Sequence, residues 1–211
     1  MVNQNAKYLG VYSSLLSALF TIAFGVFVIL NNETIYFTSV LLLSLSVVIM
    51  IISMKPYISG EKKVFIDCGV AFGIMYAVFV SMVYYTQISV VQMGTLDNNL
   101  LKIVSDAPGT VFFYLDMFGY CLLCLATLFM AFAIDWNNKL FRVFLFIHSS
   151  LFIPTFLLPF LPISFSTNET SGTFSGALTL IVWCIIFIPV CLLLTRYFLK
   201  QKNNQTISNK G

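Results

Sequence analysis

Charge is scarce in this chain. Of 211 residues only 9% are charged, where a soluble domain carries roughly 25%. A chain so poor in charge cannot keep a water-facing surface solvated, which excludes the ordinary soluble classes. Histidine is scarcer still, with His148 the single example. One histidine supplies neither a two-histidine haem site nor a three-histidine zinc site. The signatures H-E-x-x-H, G-x-S-x-G and the P-loop are missing, as are paired intramembrane aspartates. Intramembrane proteases and lipid phosphatases need such sets to activate water or a nucleophile. The sequence therefore leans away from an enzyme, and it implies no cofactor and no metal. No linker rich in Pro or Ser divides the chain, and its halves show no repeat, so one domain is expected.

What the chain has in abundance is apolar. Hydrophobic residues make up 59% of it, 22 of them Phe, and the mean hydropathy is +0.95. A helix needs about 20 apolar residues to cross a bilayer. Six runs qualify, at about 8–30, 37–54, 64–91, 111–134, 141–163 and 177–199. None alternates with period two, which argues against a β-barrel, and helices satisfy their own backbone in lipid. The first run exceeds the apolar core of a signal peptide, and a second span follows closely, so it reads as a retained helix. The expected fold is all-α: a polytopic bundle of six transmembrane helices over 1–200, with a flexible polar tail at 201–211.

Basic residues orient the bundle. Lys and Arg in short loops mark the cytoplasmic side. Lys7, Lys55, Lys62, Lys63, Lys139, Arg142, Arg196, Lys200, Lys202 and Lys210 all fall on one side of a six-span arrangement, ten of the eleven basic residues. Lys102 is the exception. Both termini are thus expected in the cytoplasm. The net charge of +3 reads as topology, with no case for nucleic acid. The tail holds too few basic residues together to bind lipid by itself.

Between the third and fourth runs, Leu96, Leu100, Ile103 and Val104 recur at helical spacing, with Asp97, Asn98, Asn99 and Lys102 between them. This pattern predicts a short amphipathic helix on the outer face, ended by the turn Asp106-Ala107-Pro108-Gly109. It is either a plain connector or a lid over a site between spans three and four. Gly69 and Gly73, and likewise Gly10, Ser14 and Ala18, have the small-residue spacing that lets helices approach closely, within the chain or in a homo- or hetero-oligomer. Pro154, Pro159 and Pro162 mark the outer end of span five as kinked.

Polar groups inside the apolar runs each ask for a reason, because an ionisable side chain there costs several kcal/mol. Asp116 lies five residues into span four, or roughly 7–8 Å deep at 1.5 Å per residue. Span three runs the other way and brings Tyr84, Tyr85, Thr86, Gln87 and Gln92 to a similar level, and Tyr120 lies one turn below Asp116. Asp116, Tyr84, Tyr85, Gln87, Gln92 and Tyr120 are the candidate ligand-binding set. The competing reading is a structural tie between two spans. His148, in the inner half of span five, is a packing residue or a proton relay with Asp67. Cys121 and Cys124 form a C-x-x-C, with Cys184 and Cys191 in span six. The outer loops and the tail lack the partner thiol that disulfide exchange requires. The sequons at Asn32 and Asn168 lie close to the expected membrane surface, where access is poor.

The stretch Tyr84-Tyr85-Thr86-Gln87-Ile88-Ser89-Val90-Val91, followed by Leu115-Asp116-Met117-Phe118-Gly119-Tyr120, resembles a pattern in small uncharacterised prokaryotic multi-span membrane proteins. In those a Y-x-Q segment precedes an acidic G-Y helix. The resemblance covers about a quarter of the chain. It implies a prokaryotic plasma membrane and no particular activity. Three functions compete. The first is binding or transport of a small solute or lipid through an outward-facing pocket between spans three and four. The second is a non-catalytic regulatory subunit. The third is a lipid-modifying enzyme, which would need a second acid or base beside Asp116 or His148.

Overall fold

The computed structural model describes residues 4–94, 96–135, 138–157, 160 and 169–201, with the backbone alone for 169–178. The helices are α1 (Gln4–Ile29), α2 (Glu33–Ile52), α3 (Lys63–Thr86), α4 (Asn98–Val104), α5 (Val111–Ala133), α6 (Lys139–Ser150), α7 (Phe152–Leu157) and α8 (Glu169–Lys200). No strand occurs among the described residues. Six stretches are long and apolar enough to cross a membrane: Gln4–Ile29, Glu33–Tyr57, Gly60–Val91, Val111–Ala133, Lys139–Leu157 and Thr179–Lys200.

Each long helix packs on the next, and α8 returns to α1, so the order α1, α2, α3, α5, α6, α8 closes into a ring. The exterior of this ring is apolar, unlike that of a water-soluble bundle, while the largely apolar interior also takes in small polar side chains. Large apolar side chains such as Tyr12, Leu19, Val78 and Ile185 face outward, each more than half exposed. Small hydroxyls face inward. Ser13, Ser14, Ser17 and Thr21 of α1 are buried, and each hydroxyl donates to a carbonyl one turn back. Three pairs also join helices: Ser14 with Thr195 at 2.7 Å, Ser17 with Ser46 at 2.8 Å, and Ser44 with Ser81 at 3.0 Å. In an apolar solvent hydrophobic burial does not hold helices together, and such bonds, worth about 0.6 kcal/mol each, act with close packing instead.

The small residues provide that packing from within the chain. A methyl on Gly73 would stand 2.8 Å from Ile51 of α2, one on Gly69 3.3 Å from the Ala126 carbonyl of α5, and one on Gly10 2.6 Å from the Phe198 ring of α8. These faces, read from sequence as helix contacts within the chain or in an oligomer, meet the chain's own helices at these glycines.

Two spans depart from the expected course. The fifth is broken, with α6 ending at Ser150 and α7 starting at Phe152. Pro154 has no N–H for the Ser150 carbonyl, and its ring crowds that carbonyl, so the helix cannot run straight through. Pro159 and Pro162 lie outside the described residues. The third span continues past α3 in a wide π turn, Gln87–Val91, closed by a bond from the Gln92 N–H to the Gln87 carbonyl at 3.0 Å. The chain then reaches α4, whose N-cap Asp97 accepts from the Asn99 and Leu100 N–H groups, both at 2.9 Å.

The basic residues gather at one end. There Lys55 pairs with Asp67 at 2.7 Å and Lys62 pairs with Asp135. Lys7 donates to the Gln201 carbonyl at 2.8 Å. Glu33, Asp97, Lys102 and Asp106 mark the opposite end.

Candidate functional site

The interior of the ring is filled by one or more ring-bearing side chains from every long helix. Phe24 comes from α1, Phe37 from α2, Tyr76 and Tyr84 from α3, Tyr120 from α5, His148 from α6, and Trp183 with Phe187 from α8. All eight are buried. They form a connected column. Phe37 lies 5.5 Å from Tyr84, Tyr76 lies 6.1 Å from Tyr120, and Tyr120 lies 5.0 Å edge-on to Trp183. Trp183 stacks on Phe187 at 5.0 Å, and His148 sits 4.9 Å from Phe187. Helical periodicity places these residues toward a core, and the adjacency of α3 and α5 brings Tyr76 to Tyr120. Nothing local in the sequence marks Trp183 as a neighbour of Asp116's helix; the closure of the ring through α8 does so.

The polar atoms in this column are mostly unspent. Tyr84 donates its hydroxyl to Asp116 Oδ2 at 3.0 Å. Asp116 Oδ1, the Tyr76 and Tyr120 hydroxyls, Trp183 Nε1 and His148 Nε2 are all buried without a hydrogen-bond partner among the described residues. Tyr120 stands beside Tyr84 without aligning on it. Leaving one buried polar group unpaired costs about 1–3 kcal/mol. A column holding five such atoms therefore has a strong appetite for a small hydrogen-bonding guest, water included.

His148 can be read further. The Thr127 hydroxyl donates to the Cys124 carbonyl at 2.9 Å and also lies 2.9 Å from His148 Nδ1. A hydroxyl has one hydrogen. With that hydrogen on Cys124, the imidazole must donate from Nδ1. In a neutral ring Nε2 is then a bare lone pair aimed among Trp183 and Phe187.

One end of the column is covered. Gln87, fully buried, donates from Nε2 to the Val104 carbonyl at 2.7 Å, holding the last turn of α4. Thr110 caps α5 and donates to the Ser105 carbonyl at 2.5 Å, while Tyr36 of α2 donates to Asp106 at 3.3 Å. Partial desolvation pushes the Asp106 carboxyl above the usual carboxylate range and the Glu33 charge adds to it, while a backbone hydrogen bond and Tyr36 act the other way. Asp106 keeps an exposed surface, so solvent weakens these effects. Gln87 continues the buried face of α3 formed by Val80, Val83 and Tyr84 and begins the π turn, and such turns recur at functional sites.

Of the residues singled out from sequence, Asp116, Tyr84 and Tyr120 come together. Gln87 joins them as the pin of the cover, with its own Oε1 unpartnered. Tyr85 does not join, since it is 63% exposed on the outer surface of the ring. Gln92 turns to α2, where the Thr34 hydroxyl donates to it at 3.1 Å. Asp67 is paired with Lys55 at the basic end and takes no part in the surroundings of His148. Neither Asp116 nor His148 has a second acid or base within hydrogen-bond distance among the described residues. Cys121, Cys124, Cys184 and Cys191 are buried free thiols. Asn32 spends its side chain on capping α2 through the Ile35 N–H, and Asn168 lies outside the described residues. No group of metal-ligating side chains occurs among the described residues.

Set against known proteins, the chain matches no family model, no curated protein and no solved structure.

Proposed function

We propose that this chain is a multi-pass protein of a prokaryotic plasma membrane, with both termini in the cytoplasm. In this reading it binds and passes a small hydrogen-bonding solute through the interior of its helix ring. The entrance lies on the outer side between α3 and α5, beneath α4. The membrane placement is supported by the apolar exterior of the ring, by six helices long and apolar enough to cross a bilayer, and by the basic residues at one end. The observation that carries the solute reading is the buried, unpartnered Asp116 Oδ1 at the head of a column of unspent polar atoms. Aromatic walls with a few convergent polar groups are the usual make-up of a small-molecule site.

A tie between helices would look different, because both carboxylate oxygens would be used. Here one is held by Tyr84 and the other is kept free. A regulatory subunit has less support, since the small-residue faces are filled from within. A lipid-modifying enzyme lacks the second acid or base it would need.

The test is a thermal-shift screen of small polar solutes on the purified protein in detergent, with Asp116→Asn alongside. The amide keeps an acceptor for Tyr84, so the variant alone should melt at the wild-type temperature or above it. At least one solute should raise the wild-type melting temperature in proportion to its concentration and leave the variant unmoved. An Asp116→Asn protein that loses several degrees, with no solute shifting the wild type, would make Asp116 a structural tie and remove the pocket.

A further inference from the structure

A cavity lies at the basic end, where α6 begins and α8 ends. It has a volume of about 480 Å³ and is lined by Asn138, Lys139, Leu140, Phe141, Leu193, Arg196, Tyr197 and Lys200. Lys139 is 57 residues before Arg196 in the chain, so sequence alone shows two thin basic segments and no cluster. Folding puts three cations around one space, Lys139 from α6 and Arg196 and Lys200 from α8. None of them is neutralised: the ion pairs among the described residues are Lys55–Asp67 and Lys62–Asp135. Asp135, close enough to act on Tyr197, is already held by Lys62.

The wall opposite the α8 cations adds to the same preference. The α6 N-terminus opens into the cavity, and Asn138 at the N-cap makes no capping bond. First-turn N–H groups there lack intrahelical partners and carry the positive end of the helix dipole. Uncapped N–H groups, a guanidinium and two ammonium groups around one space are a phosphate-binding constellation. The floor of the cavity is apolar, with Leu193 and buried Phe141, and Leu140 beside it is 56% exposed. A phosphate that arrives with an acyl chain would lay that chain along Leu140 and the exposed Leu199.

We infer that this cavity binds the phosphate of an anionic phospholipid headgroup from the inner leaflet, held by Lys139, Arg196, Lys200 and the α6 N-terminus. The inference rests on the membrane placement proposed above and is independent of the solute site. Basic pockets between helices at the cytoplasmic face suit such headgroups. The bound lipid would clamp α6 to α8, the pair that carries His148 and Trp183.

The test compares thermal stability in nanodiscs of phosphatidylcholine with nanodiscs containing phosphatidylglycerol. Wild type should melt several degrees higher with phosphatidylglycerol. The combined variant Lys139→Gln, Arg196→Gln, Lys200→Gln should lose most of that increment and keep its melting temperature in phosphatidylcholine. Should the triple variant fail to fold, Arg196→Gln alone, on an exposed side chain, must still reduce the increment. Lys63→Gln, which removes a cation away from the cavity, must leave it intact. Equal melting in both lipids, or equal loss in the Lys63 variant, overturns the site. An increment produced in phosphatidylcholine by millimolar inorganic phosphate overturns the lipid assignment in favour of a soluble anion. A protein that does not enter nanodiscs at all overturns the membrane placement itself, a result distinct from the others.

Discussion

At the residue scale the sharpest constraint is the Thr127 hydroxyl, which serves a carbonyl and an imidazole with one hydrogen. Thr127→Val keeps the shape and deletes the acceptor, leaving the His148 Nδ1 proton buried and unpaired. That should destabilise by about 1–3 kcal/mol. Removing both partners, as Thr127→Val with His148→Phe, should cost less than the sum of the two single changes, because no orphan remains. A double-mutant cycle on unfolding in detergent measures this, and strict additivity would mean that the two side chains do not interact. The same logic separates Asp116 from Tyr85. Both are polar and sit near the same level, yet one keeps a carboxylate oxygen in the interior and the other points its ring outward.

At the element scale the cover made by α4 hangs on few bonds. Its residues are largely exposed, a seven-residue helix is too short to be stable alone, and the fully buried Gln87 grips its last turn at Val104. Gln87→Leu should fill the space and release the Val104 carbonyl. Amide exchange should then rise across residues 98–106 while α3 and α5 stay protected. Unchanged exchange there would show that Tyr36 and Thr110 hold the cover without it. Helix contacts of the glycine type behave in the opposite way. Gly73→Leu drives a side chain into Ile51 and should cost about 1–3 kcal/mol by overpacking, read as a loss of folded protein on titration with denaturing detergent.

Much of the architecture at this scale was legible in the sequence. The six apolar runs, their alternation of charge and the small helix before Asp106 all follow from hydropathy and helical spacing, which are local properties. The break in span five was only half legible. Pro154 announces a defect, but sequence does not say whether a helix bends or splits there, and Pro189 of α8 lies inside a helix that continues. The interior was legible to the extent that two adjacent antiparallel spans define it, which is why Asp116, Tyr84 and Tyr120 could be paired in advance. His148 and Trp183 meet each other, and Trp183 meets Tyr120, because α6 and α8 close the ring, and no property of residues near them in sequence encodes that closure. Tyr85 faces outward because it stands about 100° around the regular helix α3 from buried Tyr84, whereas Gln92 lies beyond the π turn, which shifts the rotation of the residues that follow it.

At the scale of the whole molecule, the ring has an apolar core threaded by a few polar atoms, an apolar exterior and a basic end. In the proposed orientation, single cysteines placed at Asn99 and at Glu61 should react with an impermeant thiol reagent from opposite sides of intact cells. The outer site should be labelled directly and the inner one only after permeabilisation. Labelling of both from outside would end the six-span arrangement. The interior polar column and the basic-end cavity would then serve different partners, a solute from outside and a lipid from within, on helices shared through Trp183 and His148.

The wide turn at Gln87–Val91 has a consequence in terms of descent. A turn closed from residue i to i+5 holds one residue more than an α turn, so it is what an inserted residue leaves when a helix absorbs it without breaking. Deleting one residue from 87–91 should restore a regular helix of nearly the same length. It would also rotate all that follows by about 100°, one residue's share of a 3.6-residue turn, parting Gln92 from Thr34. Alignment gaps normally fall in loops. Here relatives of this chain should show theirs inside an apolar span, and those with the gap should also have lost the glutamine that pins the cover.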